Sequence, residues 1–211
     1  KAKTMIKTGI FGGTFDPFHL GHLALSKAFI NEIQLDELFI IPAANTPLKD
    51  AFIFSYQQRM TMANLALKEI KKAFVSDLDN TGENKSYSVE LIRRFKEKYK
   101  DRQIYFAIGE DNVAQLKDWK DYQKLFEIAK IVVFTRNTPT RKLWDQLDYL
   151  DKLSFVKMPA IDISSTEIRQ KLINNEDVSL FLPKHVNDYI SSLKQFDNIN
   201  NFLLDQKHEN K

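Results

Sequence analysis

The sequence predicts an α/β fold: a doubly wound parallel sheet in a single domain, with added helices at the carboxyl end. Three observations carry that expectation. Apolar runs rich in strand-forming residues alternate along the chain with segments of helical period. Two of those runs, Ile104–Ile108 and Ile131–Phe134, are apolar throughout, as strands buried on both faces of a parallel sheet are. No repeat, low-complexity linker or break in composition marks a second unit, and 211 residues lies just above the usual single-domain range of roughly 100–200.

The elements follow in order. Met5–Phe11 reads as a first strand. Leu23 to Gln34 reads as a helix, with Leu25, Phe29 and Ile33 on one face. Leu38–Ile41 is a short strand closed by Pro42. Met60, Ala63, Leu67 and Ile70 stripe a second helix, and Ala73–Leu78 follows as a strand. Val89, Ile92, Phe95 and Tyr99 mark a third helix ahead of the two central strands, and Ser154–Met158 is a weaker strand. Ser164 and Glu167 form a capping-box signature for a helix carrying Ile168 and Leu172. Pro183 suits the first turn of a last helix with Val186, Ile190 and Leu193. Residues 1–197 make up the expected domain, and 198–211 a polar tail, partly helical or frayed. Such a sheet is expected to bind ligands at the carboxyl ends of its strands.

Composition narrows the function. The charge is +3, from 31 basic and 28 acidic residues that are well interspersed. Nucleic-acid binding would ask for a concentrated basic patch instead. There is no cysteine, which excludes disulfides, thiolate zinc sites and a cysteine nucleophile. Apolar stretches such as Leu38–Ala44 fall far short of the ~20 residues of a membrane span. The opening Lys1–Lys7 is followed by no apolar region of signal-peptide length, so a cytoplasmic protein is expected.

The first motif, Gly12-Gly13-Thr14-Phe15-Asp16-Pro17-Phe18-His19-Leu20-Gly21-His22, joins the first strand to the first helix. Glycines let a backbone approach a phosphate closely and donate its amides, and a helix amino end favours anions. His19 and His22 are three apart and share a helical face. Two imidazoles there can donate to oxygens whose charge grows during phosphoryl chemistry. No Gly-Lys-Ser/Thr follows and no Gly-x-Gly-x-x-Gly is present, so neither a Walker loop nor a dinucleotide fingerprint is implied.

This motif resembles the signature of the nucleotidylyltransferase superfamily, Rossmann-like enzymes whose HxGH element is His19-Leu20-Gly21-His22 here. The resemblance implies direct nucleotidyl transfer with Mg²⁺ carried on ATP phosphates and no protein metal ligands. It implies an ATP site formed by Gly12, Gly13, Thr14, Phe15 and Gly21, with His19 and His22 on the triphosphate. A second motif, Ile163-Ser164-Ser165-Thr166-Glu167-Ile168-Arg169, gathers amides, hydroxyls and a guanidinium at a helix start, a site suited to anions. It is similar to the superfamily's ISSTxIR element, which implies that Ser164, Ser165, Thr166 and Arg169 complete the ATP site.

Between the motifs the chain resembles bacterial nicotinate-nucleotide adenylyltransferases. Thr46-Pro47-Leu48-Lys49 matches a loop that places Lys49 near the phosphates, although many members have histidine where Leu48 stands. Arg59 opens the next helix as the family's arginine does, which implies a place among the substrate ligands; a solvated surface arginine is its plain alternative. Ser86-Tyr87-Ser88 matches a Ser-Tyr-Thr segment whose amides face the pyridine carboxylate, an acceptor-only group. Gly109 and Asp111, followed by Trp119, match the family's Gly-x-Asp and downstream tryptophan: Asp111 for a ribose hydroxyl, Trp119 for stacking on the pyridine. Arg136 stands where the family often has arginine.

The resemblance thus implies adenylyl transfer from ATP to nicotinate mononucleotide, with His19, His22, Lys49 and Arg169 as the catalytic set. Nicotinamide mononucleotide, phosphopantetheine and a non-catalytic nucleotide-binding module are the alternatives. The expected partners are these small molecules, with no nucleic acid, no membrane and a homodimer left open.

Overall fold

The computed structural model describes residues 5–44, 52–82, 87–135, 144–158 and 163–193. Within them, strands Ile6–Gly13 (β1), Glu37–Pro42 (β2), Ala73–Val75 (β3), Arg102–Gly109 (β4), Lys130–Thr135 (β5) and Leu153–Lys157 (β6) form one sheet. Their order is β3-β2-β1-β4-β5-β6 and every pairing is parallel. This is the doubly wound, Rossmann-like order, and the chain reverses direction across the sheet between β1 and β4.

Strand periodicity divides the core in two. Phe11, Leu38, Ile40, Ala107, Val132 and Phe134 face one side, where helices Leu20–Ile33 (α1), Tyr56–Leu67 (α2), Ser165–Ile173 (α5) and Lys184–Ser192 (α6) pack. Their alternate neighbours Ile10, Phe39, Ile41, Phe106, Ile131 and Val133 face the other, under helices Ser88–Lys98 (α3) and Tyr122–Ile128 (α4). Side chains of period two on a sheet covered on both faces account for the unbroken apolar runs.

Several boundaries differ from expectation, each for a local reason. β1 runs past Phe11 to include both glycines, because Gly12 and Gly13 pair with Ile41 and Pro42 of β2. α1 opens at Leu20 rather than Leu23, since His19 caps it. β3 ends at Val75 rather than Leu78: the Ser76 amide donates to the Ile40 carbonyl, and Ser76 Oγ then accepts the Leu78 amide and turns the chain. α2 ends before Ile70 and buries Arg59, Met62, Ala63, Ala66 and Leu67, so Ala63 and Leu67 of the expected stripe face inward while Met60 is only half-buried and Ile70 packs on the core from beyond the helix. α4, held by Leu125, was not expected. Pro183 sits at the cap of α6, one position before its first turn. The tail 198–211 lies outside the described residues.

Candidate active site

At the end of β1 the chain makes a tight turn whose inner side is aromatic. Phe15 adopts a left-handed backbone, φ 49°, and its side chain is 1% exposed. The ring meets Phe11 edge-on at 5.1 Å and Phe18 at 5.4 Å, and covers Gly13 so closely that a Cβ there would stand 3.0 Å from it. A bulky residue with positive φ is strained; burial of this ring against three neighbours offsets the cost. Phe15, expected among the ATP ligands, is therefore the turn's buried support and does not line the cleft described below.

His19 and His22 cap α1 reciprocally. The Gly21 amide donates to His19 Nδ1 at 3.1 Å, and the His19 amide donates to His22 Nδ1 at 3.2 Å. A ring nitrogen that accepts an N–H carries no proton, so each neutral imidazole keeps its proton on Nε2. The cap thereby selects the donor tautomer of both rings. His19 is 5% exposed behind His22, which reaches the cleft.

The same geometry corrects the expectation that the α1 amino end serves a phosphate with its amides. The Leu20 amide donates to the Phe181 carbonyl at 2.9 Å, and that of Gly21 is taken by His19.

Asp16 ties the two motifs together. Its carboxylate is buried and accepts the amides of Ile53 and Phe54 at 3.1 and 2.9 Å. Its carbonyl accepts Arg169 Nη1 at 2.9 Å, while Arg169 Nη2 donates to Thr166 Oγ1 at 3.0 Å. Ser165 Oγ donates to the Pro17 carbonyl at 3.4 Å, and Ser164 Oγ caps α5 by accepting the Glu167 amide. Elements about 150 residues apart thus abut, although Ser164, Ser165, Thr166 and Arg169 lie beside the cleft rather than in its lining.

The cleft, about 460 Å³, opens at the carboxyl ends of β1 and β4. Gly12, Gly13, Thr14 and His22 line it together with Gly109, Asp111, Tyr87, Ser88 and Trp119. Asp111 folds back over Gly109, where any Cβ would collide with its Oδ1, and accepts Asn112 Nδ2 at 3.2 Å. Tyr87 is the cap residue of α3 at the cleft wall; its side chain makes no capping bond, while its carbonyl accepts the amides of Glu90 and Leu91. Trp119 is half-buried: one part packs on the core, another faces the cleft. Lys49, Ser86 and Arg136 lie outside the described residues.

Arg59 is placed differently from either sequence reading. It is 1% exposed, neither solvated nor in the cleft wall, and its Nη1 donates to the carbonyls of Thr14 at 2.7 Å and Ala43 at 2.8 Å. The Phe52 ring covers its guanidinium at 4.2 Å. Burial pushes the Arg59 guanidinium below its ordinary value, against the attraction of Asp16 and Tyr56.

Sequence reasoning missed Asp79, a cleft-lining carboxylate only 4% exposed. It accepts the Ala44 amide at 3.0 Å and Arg94 at 3.3 Å. The usable signal was its position, an acidic residue just past the carboxyl end of a parallel strand.

A family model described as cytidylyltransferase-like matches residues 10–171, from the first motif through the second. A curated relative from Clostridium novyi (strain NT), named "Probable nicotinate-nucleotide adenylyltransferase", is 33% identical over 91% of this chain and 100% of its own length. Another of the same name, from Methylacidiphilum infernorum (isolate V4), is 34% identical over 90% of this chain and 92% of its own. The chain belongs to the nicotinate-nucleotide adenylyltransferase family.

Members of that family are nucleotidyltransferases, and this chain carries the fold intact. The Plasmodium falciparum nicotinic acid mononucleotide adenylyltransferase complexed with NaAD superposes with a TM-score of 0.75, covering 91% of this chain and 98% of that one at 19% identity. For this adenylyltransferase-family chain, no helix among the described residues is long and apolar enough to cross a membrane.

Proposed function

We propose that the chain transfers AMP from ATP to nicotinate mononucleotide, giving nicotinate adenine dinucleotide and pyrophosphate, a step of NAD biosynthesis. One observation carries this reading: a single cleft takes in both the phosphate turn with His22 and the acceptor segment of Tyr87, Ser88 and Trp119. A phosphate monoester is already an anion near neutral pH, so its oxygen attacks the α-phosphorus without a strong base. The bond to the β-phosphate oxygen breaks and pyrophosphate leaves. The protein's work is alignment and charge stabilisation.

His22 donates from Nε2 to the phosphates, with His19 behind it, and Gly12 to Thr14 supply backbone amides. Lys49 and Arg169 neutralise the leaving pyrophosphate, with Ser164, Ser165 and Thr166 beside it and Gly21 setting the cap. Gly109 and Asp111 bind the nucleotide, Trp119 stacks on the pyridine, and Arg136 adds a positive charge for the substrate. The start of α3 at Tyr87–Ser88, where the Tyr87 side chain makes no capping bond, supports a preference for the acid, because a carboxylate accepts amides whereas a carboxamide must also donate. Ser86 belongs to that segment.

No cage of three or more His, Asp or Glu side chains stands among the described residues. That donor set suits a Mg²⁺ ion carried on ATP, where it would neutralise phosphate charge. The cytoplasm, where these nucleotides are made and used, is the compartment this reading assigns.

The test is pyrophosphate release from ATP and Mg²⁺ with nicotinate mononucleotide, nicotinamide mononucleotide and phosphopantetheine in parallel. Release with the nicotinate substrate alone is expected. Release only with another acceptor would overturn the carboxylate argument, and ATP binding with no release would favour a non-catalytic module.

A further inference from the structure

The peptide unit between Ala43 and Ala44 is gripped at both ends by buried charged side chains. Its carbonyl accepts Arg59 Nη1 at 2.8 Å, and its N–H donates to Asp79 Oδ2 at 3.0 Å. Arg59 is 1% and Asp79 4% exposed. The peptide dipole therefore lies between a cation at its oxygen and an anion at its hydrogen, each bond of the charge-assisted kind. The same Nη1 holds the Thr14 carbonyl at 2.7 Å, and the Ala43 amide donates to the Gly13 carbonyl at 2.8 Å. On the far side, Asp79 Oδ1 accepts Arg94 of α3 at 3.3 Å. One chain of contacts thus runs from the phosphate turn, through this peptide, to the helix whose first residue, Ser88, lines the acceptor part of the cleft.

Burying an arginine whose Nε has no partner and which forms no ion pair among the described residues is expensive. A well-packed apolar side chain would hold α2 against the sheet more cheaply, so stability alone does not explain the arrangement. We propose that Arg59 and Asp79 are a pair of positioning residues that clamp the Ala43–Ala44 peptide and thereby fix the spacing between the phosphate turn and the acceptor wall. Neither touches a substrate in this role; both act on the alignment of the attacking oxygen with the α-phosphorus. The proposal rests on the two-substrate reading above.

Asp79→Asn keeps the shape and removes the charge; Arg59→Lys keeps the charge on a chain one bond too short to reach both carbonyls. A misplacement near 1 Å can cost about 10²-fold. Each variant is therefore expected to lose roughly 10- to 100-fold in kcat, with the Michaelis constants of both substrates within about threefold. The double variant should be no slower than the worse single one, because a clamp is broken only once. Michaelis constants that rise at unchanged kcat, or single losses that multiply, would overturn the clamp.

Amide hydrogen exchange reads the clamp without turnover. Arg59→Lys should speed exchange at Ala44 by about tenfold more than at the remote strand residue Val132, although the substituted side chain bonds only the other end of that peptide. Equal changes at both sites would sink the idea. Should Arg59→Lys not fold, Asp79→Asn read at the Ala43 amide makes the same test. A wild-type protein silent with every acceptor would count against the proposed reaction, while the exchange result would still decide the clamp.

Discussion

The imidazole rings of His19 and His22 stack face to face, with centroids 3.7 Å apart and planes 23° from parallel. Stacked rings whose Nδ1 atoms both accept backbone amides have one remaining polar atom each, Nε2, and both are donors. The pair is a rigid donor unit set into the first turn of α1, backed by Phe15 and Phe18 at 4.9 and 5.2 Å from His22.

His22→Ala should therefore lower turnover by about 10²–10³ with little change in fold, the cost of deleting one preorganised donor to developing charge. Steady-state kinetics beside a circular dichroism spectrum check this. A loss of less than about fivefold in a folded variant would remove His22 from the chemistry.

Trp119 packs on the core with one part and faces the cleft with another. Trp119→Ala is expected to raise the Michaelis constant for nicotinate mononucleotide more than that for ATP. Equal rises would mean that the ring serves only as packing.

Gly109 cannot carry a side chain while Asp111 lies over it. In Gly109→Ala the Asp111 carboxylate must swing away, so affinity for the nucleotide should fall about tenfold with a thermal midpoint almost unmoved, since the displaced group is at the surface. Calorimetric titration with ATP decides it; unchanged affinity would argue that Asp111 has no part in binding.

Phe29 is wholly buried where α1 meets the sheet and packs edge-on against Phe134 at 5.2 Å. Phe29→Ala should cost about 3–5 kcal/mol in urea unfolding, through lost transfer energy and the cavity left behind. A cost below about 1 kcal/mol would mean that the core closes around the gap.

The Tyr56 hydroxyl is buried and has no hydrogen-bond partner among the described residues, and its pKa is pushed up to about 12, first by burial and then by Asp77 and Asp79. The unfolded tyrosine ionises near 10, so the folded state holds its proton longer. That contribution to stability is whole below pH 10 and is lost as pH rises toward 12. Tyr56→Phe should leave stability at pH 8 unchanged or slightly raised, and should lose less than the wild type between pH 9 and 11. Parallel urea melts at those values test the sign.

Much of this was legible in the sequence because it depends on local pattern. Runs such as Ile131–Phe134 had no place except inside a two-faced sheet, and both motifs lay in the expected chain order. What escaped were residues whose role depends on partners distant in sequence. His19 is an unusual cap, so α1 was expected to begin later. Arg59 read as a substrate ligand or a solvated arginine, and the helical stripe was drawn through Met60 beside it; only the carbonyls of Thr14 and Ala43 explain why it turns inward. Asp79 gave no local signal beyond its place after β3, because its partners Ala44 and Arg94 come from other elements. Phe15 lay inside a recognised motif, and the motif does not say which of its members are hidden.

The bonds from Arg169 to the Asp16 carbonyl and from Leu20 to the Phe181 carbonyl join the first twenty or so residues to the last part of the described chain. A polypeptide made from its amino end must therefore carry its phosphate turn through some 150 residues of synthesis before the segments that brace it have left the ribosome. Until then Asp16 is held by the Ile53 and Phe54 amides alone, and the first turn of α1 lacks its bond to Phe181.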